Sequence, residues 1–155
     1  MLSPVPGRFT LIAGAGEGPT PLNAFDSALL DAGIGNYNLV RVSSIVPPGA
    51  SFVETPSKLA IPLGALVPTA YGSFTSDKPG TVIAAAIAVG LSNGLGIIME
   101  HKGESSKNAI ERAIEAMVEQ AFVLRNADLR ELKIRSVEHV VRDVGCVFAG
   151  AVLWY

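Results

Sequence analysis

The chain has 155 residues, with 12 basic and 14 acidic side chains, a net charge of −2 and no block of either sign. That balance excludes an electrostatic partnership with nucleic acid or an anionic membrane. Hydrophobic residues make up 49% and charged residues only 17%. At this length one domain spanning residues 1–155 is expected, burying roughly 70% of its unfolded surface. So apolar a composition suggests further burial between subunits. Cys146 stands alone, so an internal disulfide is impossible, and its apolar surroundings suggest a buried, inert thiol. The first residues, Met1 to Arg8, lack the basic and apolar regions of a signal peptide. The longest apolar stretch, Thr81 to Leu91, is too short to span a bilayer. The expectation is a cytoplasmic protein without a membrane partner.

Phe9 to Ala13 reads as a first strand, and Gly14-Ala-Gly-Glu-Gly18 as a plain turn after it. The glycines lack the spacing of a dinucleotide fingerprint and the Lys-Ser/Thr ending of a phosphate loop. Thr20 can cap a helix whose first position is Pro21, running to about Ala32 and stopping at Gly33 and Gly35. Asn38 to Ser43 reads as a strand that ends before Pro47-Pro48, since a diproline breaks any ladder. Residues 49–63 read as irregular and exposed.

Ala65 to Thr75 and Thr81 to Leu91 are apolar and strand-like, joined by the turn Ser76-Asp-Lys-Pro-Gly80. Leu95 to Glu100 is a short strand. Ser105 or Ser106 caps the clearest helix, with Ile110, Ile114, Met117, Ala121 and Leu124 on its core face. Leu132 to Val144 and Cys146 to Tyr155 form two final strands, the second apolar on both faces and therefore central. Seven strands and two helices in this order fit an α+β sandwich of sheets covered by helices.

Three features depart from a bland core. Asp26 falls among Leu22, Phe25, Leu29, Leu30 and Gly33 on what reads as the core face of the first helix. A carboxylate there needs a partner. That partner is either a structural hydrogen bond or ion pair, or a cationic ligand such as a guanidinium, whose fork of donors matches a carboxylate. Glu100 ends a buried strand. It is either a solvated strand end beside His101 and Lys102, the reading the residues alone favour, or a cleft carboxyl able to hold and deliver a proton. Finally, Arg41-Val-Ser-Ser-Ile-Val-Pro-Pro48 sets two serines between an ending strand and a rigid diproline. Such a segment can hold a strained peptide bond, and a serine hydroxyl can attack the carbonyl before it. His101 and His139 have no cysteine or carboxylate at ligand spacing, so no metal site is expected.

Segments spread over nearly the whole chain carry a family resemblance. They are Gly18-Pro-Thr-Pro-Leu-Asn-Ala-Phe-Asp26, Ala32-Gly-Ile-Gly-Asn-Tyr-Asn-Leu-Val-Arg-Val-Ser-Ser-Ile-Val-Pro-Pro48, Leu63-Gly-Ala-Leu-Val-Pro-Thr-Ala-Tyr-Gly72, Ile97-Ile-Met-Glu100, Val137-Glu-His139, Gly145-Cys-Val-Phe-Ala149 and Leu153-Trp-Tyr155. In these the chain resembles the pyruvoyl-dependent arginine decarboxylases. The resemblance implies a four-layer αββα sandwich and a homotrimer, or a multiple of trimers, with active sites between subunits. It implies self-cleavage between Ser43 and Ser44, giving a β chain 1–43 and an α chain 44–155. The Ser44 hydroxyl would attack the Ser43 carbonyl, and elimination and hydrolysis would leave a covalent pyruvoyl group made from Ser44. That group would form a Schiff base with L-arginine and yield agmatine and CO2. Asn38 would stabilise the oxyanion at the scissile bond, Glu100 would reprotonate the α-carbon, and Asp26 would receive the guanidinium. Two alternatives remain: the same chemistry on another amino acid, such as histidine, or an uncleaved homologue serving as a binding subunit.

Overall fold

The computed structural model describes residues 4–54 and 59–155. The elements run β1 (Arg8–Glu17), α1 (Pro21–Asp31), β2 (Asn38–Arg41), β3 (Ile45–Val46), β4 (Ser51–Phe52), β5 (Leu66–Ser76), β6 (Val82–Leu91), β7 (Gly96–Glu104), α2 (Lys107–Leu124), β8 (Glu131–Val140) and β9 (Gly145–Trp154). They build two sheets. One has the strand order β2-β5-β9-β1-β4, the other β3-β7-β6-β8. The four-stranded sheet is antiparallel throughout; in the five-stranded sheet the two long pairings of β9 are antiparallel and the short pairs β1–β4 and β2–β5 are parallel. No helix among the described residues is long and apolar enough to cross a membrane.

Strand composition dictates the packing. Along β6, Ile83, Ala85, Ile87 and Val89 alternate with Ala84, Ala86 and Ala88, and every one is fully buried. The first set meets Leu11, Val147, Ala149 and Ala151 of the other sheet. The alanines meet Ile110, Ile114, Val118 and Phe122 of α2. The two sheets thus face each other, with α2 on the outer face of one. Each large aliphatic side chain so buried contributes about 1.5–3 kcal/mol relative to exposure. Strand β9 is buried at all ten positions because it lies mid-sheet between β1 and β5. The two-faced apolar pattern predicts that placement.

On the outer face of the five-stranded sheet, α1 is capped by Thr20, whose hydroxyl accepts from the Asn23 amide at 3.2 Å, with Pro21 at its start. Its core face differs from the one read from the sequence. Ala24, Ala28 and Leu29 are buried, whereas Leu22, Asp26 and Leu30 form an exposed stripe. The reason is the glycine-rich segment. Gly14 to Glu17 is not a turn but the second half of β1, with Gly18 just beyond it, and α1 lies backbone-to-backbone upon the segment. A Cβ at Gly14 would sit 2.4 Å from the Ala28 carbonyl oxygen, and one at Gly18 would sit 2.6 Å from the Ala24 amide. So close an approach admits only small residues on both sides, so Ala24 and Ala28, with Leu29 beside them, take the core while Leu22 and Leu30 stay outside.

Other differences are smaller. β3 and β4 are two-residue strands within segments read as breaks or irregular, β7 continues to Glu104, and β8 ends at Val140. On α2 the buried row is Ile110, Ile114, Val118, Ala121 and Phe122. Met117 is half-buried and Leu124 is exposed. The row follows steps of four residues along the helix, which favours Val118 and Phe122.

The sheets are also tied by a polar contact. At the end of β1, Glu17 accepts from the Arg142 and Asp143 amides at 3.1 and 2.8 Å and lies 2.7 Å from His139 Nε2 of β8. Burial, the largest single influence, pushes the Glu17 carboxyl up. The bonds from Asp143, His139 and Arg142, with the charge of His139, outweigh it and hold the group below its ordinary value. A carboxylate so held stabilises the fold above its unfolded pKa, and that contribution disappears as pH falls through the native value. Glu17→Gln is expected to cost about 1–2 kcal/mol at neutral pH. Thermal unfolding of both proteins should show the gap in Tm closing as the pH drops below the ordinary carboxylate value of 4.5. A gap that stays constant through the acid range would assign the loss to packing.

Candidate active site

Between β2 and β3 the chain leaves one sheet and joins the other. Its last tie to the five-stranded sheet is the Val42 amide, which donates to the Thr69 carbonyl at 3.2 Å. Its first tie to the four-stranded sheet is the Ser44 carbonyl, which accepts from the Ile98 amide at 2.7 Å. The Ser43–Ser44 peptide bond lies between these anchors, with Ser43 exposed and Ser44 half-buried. Ladder pairing resumes at once, Ile45 against Ile97 and Val46 against Gly96. The diproline that follows keeps the next residues out of any longer ladder, as its chemistry requires.

Strand β7 carries Glu100 to the same place. Ile98, which holds the Ser44 carbonyl, is two residues before Glu100, so the two side chains share one face of the strand. Ile98 is buried in the core between the sheets, so Glu100 also points toward the five-stranded sheet. There Gly72 of β5 leaves room: a Cβ at Gly72 would come within 3.4 Å of the Glu100 Cβ and Cγ. Glu100 is therefore not a solvated strand end but a carboxylate in the gap between the sheets, with a side chain 29% exposed. Its partner is Arg41, the last residue of β2. The Arg41 guanidinium donates from Nη2 to Glu100 Oε1 at 3.2 Å and to the Tyr71 carbonyl at 2.7 Å. Its Cζ lies 4.6 Å from the centre of the Tyr71 ring. Tyr71 in turn packs on Phe148 and Phe25, with ring centres 5.3 and 6.4 Å apart.

The structure thus brings Ser43, Ser44 and Glu100 together. Asn38 and Asp26 of the same chain lie elsewhere. Asn38 opens β2, at the far end from the serines, and its amide donates to the Gly64 carbonyl at 2.7 Å. At about 3.3 Å per residue, five extended positions separate it from Ser43 by roughly 16 Å. It is therefore not beside the serine pair of its own chain. Asp26 is exposed on α1 and has no hydrogen-bond or ion-pair partner among the described residues. It does not lie on a buried face, so burial places no demand on it for a partner. Arg41 and Tyr71 escaped the sequence reading. Strand alternation, which puts Arg41 and Ser43 on one side, was the signal that could have flagged Arg41. An open cavity of about 520 Å³ beside the β6–β7 turn, lined in part by Arg125 and Arg130, shares none of these residues.

These features define a class: a two-sheet α+β protein with a serine pair strung across the gap between its sheets and a carboxylate facing that gap. Residues 8–155 match the family model of the pyruvoyl-dependent arginine decarboxylases, and the chain belongs to that family. It is 49% identical to the pyruvoyl-dependent arginine decarboxylase of Methanocaldococcus jannaschii, over 97% of this chain and 92% of the relative. Identity is 42% to the proteins of the same name from Methanococcus maripaludis and Pyrococcus furiosus, over 97% of this chain and 92% and 96% of those relatives. Membership of that family implies a covalent pyruvoyl group, and the serine pair offers a place that fits one. The carbonyl of Ser44 is already held by Ile98 and the residues after it by the β7 ladder, so a chain end at position 44 would stay in place beside Glu100.

Cys146 takes no part in this site. It is buried in β9, where burial pushes its thiol up against weaker opposing hydrogen bonds from Thr75 and Phe74. A thiol so placed carries little thiolate and is shielded from reagents. Iodoacetamide is expected to leave the native protein unmodified and to add one carbamidomethyl group after unfolding. Native-state labelling seen by intact mass would contradict that burial.

Proposed function

We propose that this protein cleaves itself between Ser43 and Ser44 and then decarboxylates L-arginine to agmatine and CO2. The observation that carries the reading is the serine pair held across the two sheets, with the Ser44 carbonyl bonded to the strand that bears Glu100. Anchors on both sides limit how far the Ser43–Ser44 bond can relax. The Ser44 hydroxyl attacks the Ser43 carbonyl, transferring the acyl group from nitrogen to oxygen. β-Elimination breaks the ester, freeing residues 1–43 as a β chain with a carboxylate end and leaving a dehydroalanine at position 44; its imine tautomer takes up water and loses ammonia, giving an α chain of residues 44–155. The pyruvoyl group left at position 44 supplies an electron sink for the bond that breaks when CO2 departs. Glu100 returns a proton to the substrate carbon.

The remaining roles suit an assembly of several chains. Asn38 and Asp26 are both exposed, and Asp26 is flanked on its stripe by Leu22 and Leu30, which are 75% and 53% exposed. Leucines that open to water are natural contact residues between subunits. In a homotrimer, or a multiple of trimers, such a stripe meets a neighbouring chain. Asp26 then receives the substrate guanidinium in a two-point hydrogen bond, and Asn38 stabilises the oxyanion, each at the serine pair of the adjacent subunit. The fold in this reading is the four-layer αββα sandwich of the family, a single domain working in the cytoplasm.

Two measurements test the reading together. Intact mass of the purified protein should show two fragments, the larger beginning at a pyruvoyl residue, and Ser44→Ala should leave one full-length species. CO2 release should follow addition of arginine in preference to histidine, lysine or aspartate. A positioned general acid or base typically contributes about 10²–10⁴ in rate, so Glu100→Gln should fall by that order. Asp26→Ala should mainly raise KM for arginine. An uncleaved parent protein without CO2 release would end the proposal.

A further inference from the structure

We infer that Arg41 is a positioning residue that sets Glu100 for its proton transfer, an inference that rests on the decarboxylase reading above. Three contacts of different kinds meet in its guanidinium. Nη2 bonds the Tyr71 carbonyl at 2.7 Å and Glu100 Oε1 at 3.2 Å, and Cζ stacks over the Tyr71 ring at 4.6 Å. The carbonyl bond and the stack fix the plane of the guanidinium, something a lysine ammonium cannot copy. A guanidinium fixed in that way fixes the carboxylate oxygen it holds.

Glu100 depends on this contact. Among the described residues its side chain has no other hydrogen-bond partner. Gly72 opposite leaves space and supplies no grip, since glycine has no side chain there. Without Arg41 the carboxyl is free to change rotamer in a gap between two sheets. The two residues also belong to different sheets, 59 positions apart in the chain. Their contact therefore sets the spacing of β2 against β7 at the point where the serine pair crosses.

A direct grip on the substrate carboxylate is the rival role, and the geometry disfavours it. Nη2 is already shared between two acceptors, so only the other guanidinium N–H groups could turn to a substrate. A firm hold on the leaving carboxylate would also stabilise the substrate more than the transition state, which slows the step. The substrate is itself a cation, and a freed Arg41 would repel it.

The test compares Arg41→Ala, Arg41→Lys, Glu100→Gln and the double variant Arg41→Ala/Glu100→Gln, each as cleaved protein verified by intact mass, with L-arginine as probe. Arg41→Ala should lower kcat at least about tenfold, since small misplacements of a reacting group are that costly, while KM stays within about threefold. Arg41→Lys should recover part of the loss, because it restores the charge without the stacked plane. In the Glu100→Gln background the same Arg41→Ala change should alter kcat less than about twofold, because a residue acting through Glu100 has nothing left to position. An equal effect in both backgrounds, a raised KM with parental kcat, or no effect at all would each overturn the inference. Should Arg41→Ala fail to fold or cleave, Arg41→Lys decides alone: kcat at least about threefold low with unchanged KM supports the role, and parental kcat overturns it. These outcomes stand apart from the decarboxylase reading, which fails only if the parent protein itself releases no CO2 from arginine.

Discussion

Between Arg41 and Ile45 the chain must pass from one sheet to another that packs face to face with it, and it has only three residues in which to do so. That constraint organises the site. A crossing segment so short cannot drift, because Thr69 holds it on one side and Ile98 on the other. The groups that meet there come from the end of β2 and the middles of β5 and β7, elements distant in sequence, and the crossing is where they converge. The sheets themselves are held face to face by apolar contact over most of their inner surfaces. The polar cluster at the edge of that contact inherits its rigidity.

The same economy of space appears on the outer face. Alternate glycines in β1 let α1 settle onto the strand, and small residues at Ala24 and Ala28 complete the fit. Dense packing without large side chains uses dispersion between backbones, which weakens steeply with distance. The cost is that the helix's leucines at 22 and 30 are turned outward, with Asp26 between them. What looks wasteful in one chain is reasonable in an assembly, where outward apolar stripes are covered.

Local chemistry was legible in the sequence wherever it decided the outcome. The caps at Thr20 and at Ser106, the second of the two serines that could serve, the turn at Ser76 to Gly80 and the double-sided apolar run of β9 each rest on a few adjacent residues, and each stands where expected. The burial face of α1 was not legible, because it depends on what the helix packs against. Leucine normally outranks alanine for the core, and only the facing glycines reverse that order. Glu17 with His139, 122 positions apart, and Arg41 with Glu100 are pairs that no local pattern announces. Ser43 and Ser44 read as possible chemistry, whereas Glu100 from the residues alone reads as a solvated strand end; the topology sets it in the gap that the serines cross. Asp26 was singled out by a wheel whose phase the structure corrects, so its candidacy now rests on family resemblance and on its exposed stripe.

Strand β1 pairs with β9 at ten consecutive positions and lies inside its sheet, between β9 and β4. It belongs to the portion of the chain before the serine pair. Cutting at that pair would leave an interior strand attached only by noncovalent contacts, yet the native contacts would be unchanged. The order of the folding reaction, however, would change. An intact chain folds as one molecule, at a rate indifferent to dilution; two pieces must find each other, and their reassembly slows as the solution is diluted. Cleavage would therefore act as a ratchet: the cut molecule can unfold as before but cannot return by the route that made it, so its persistence would be governed by how slowly it opens.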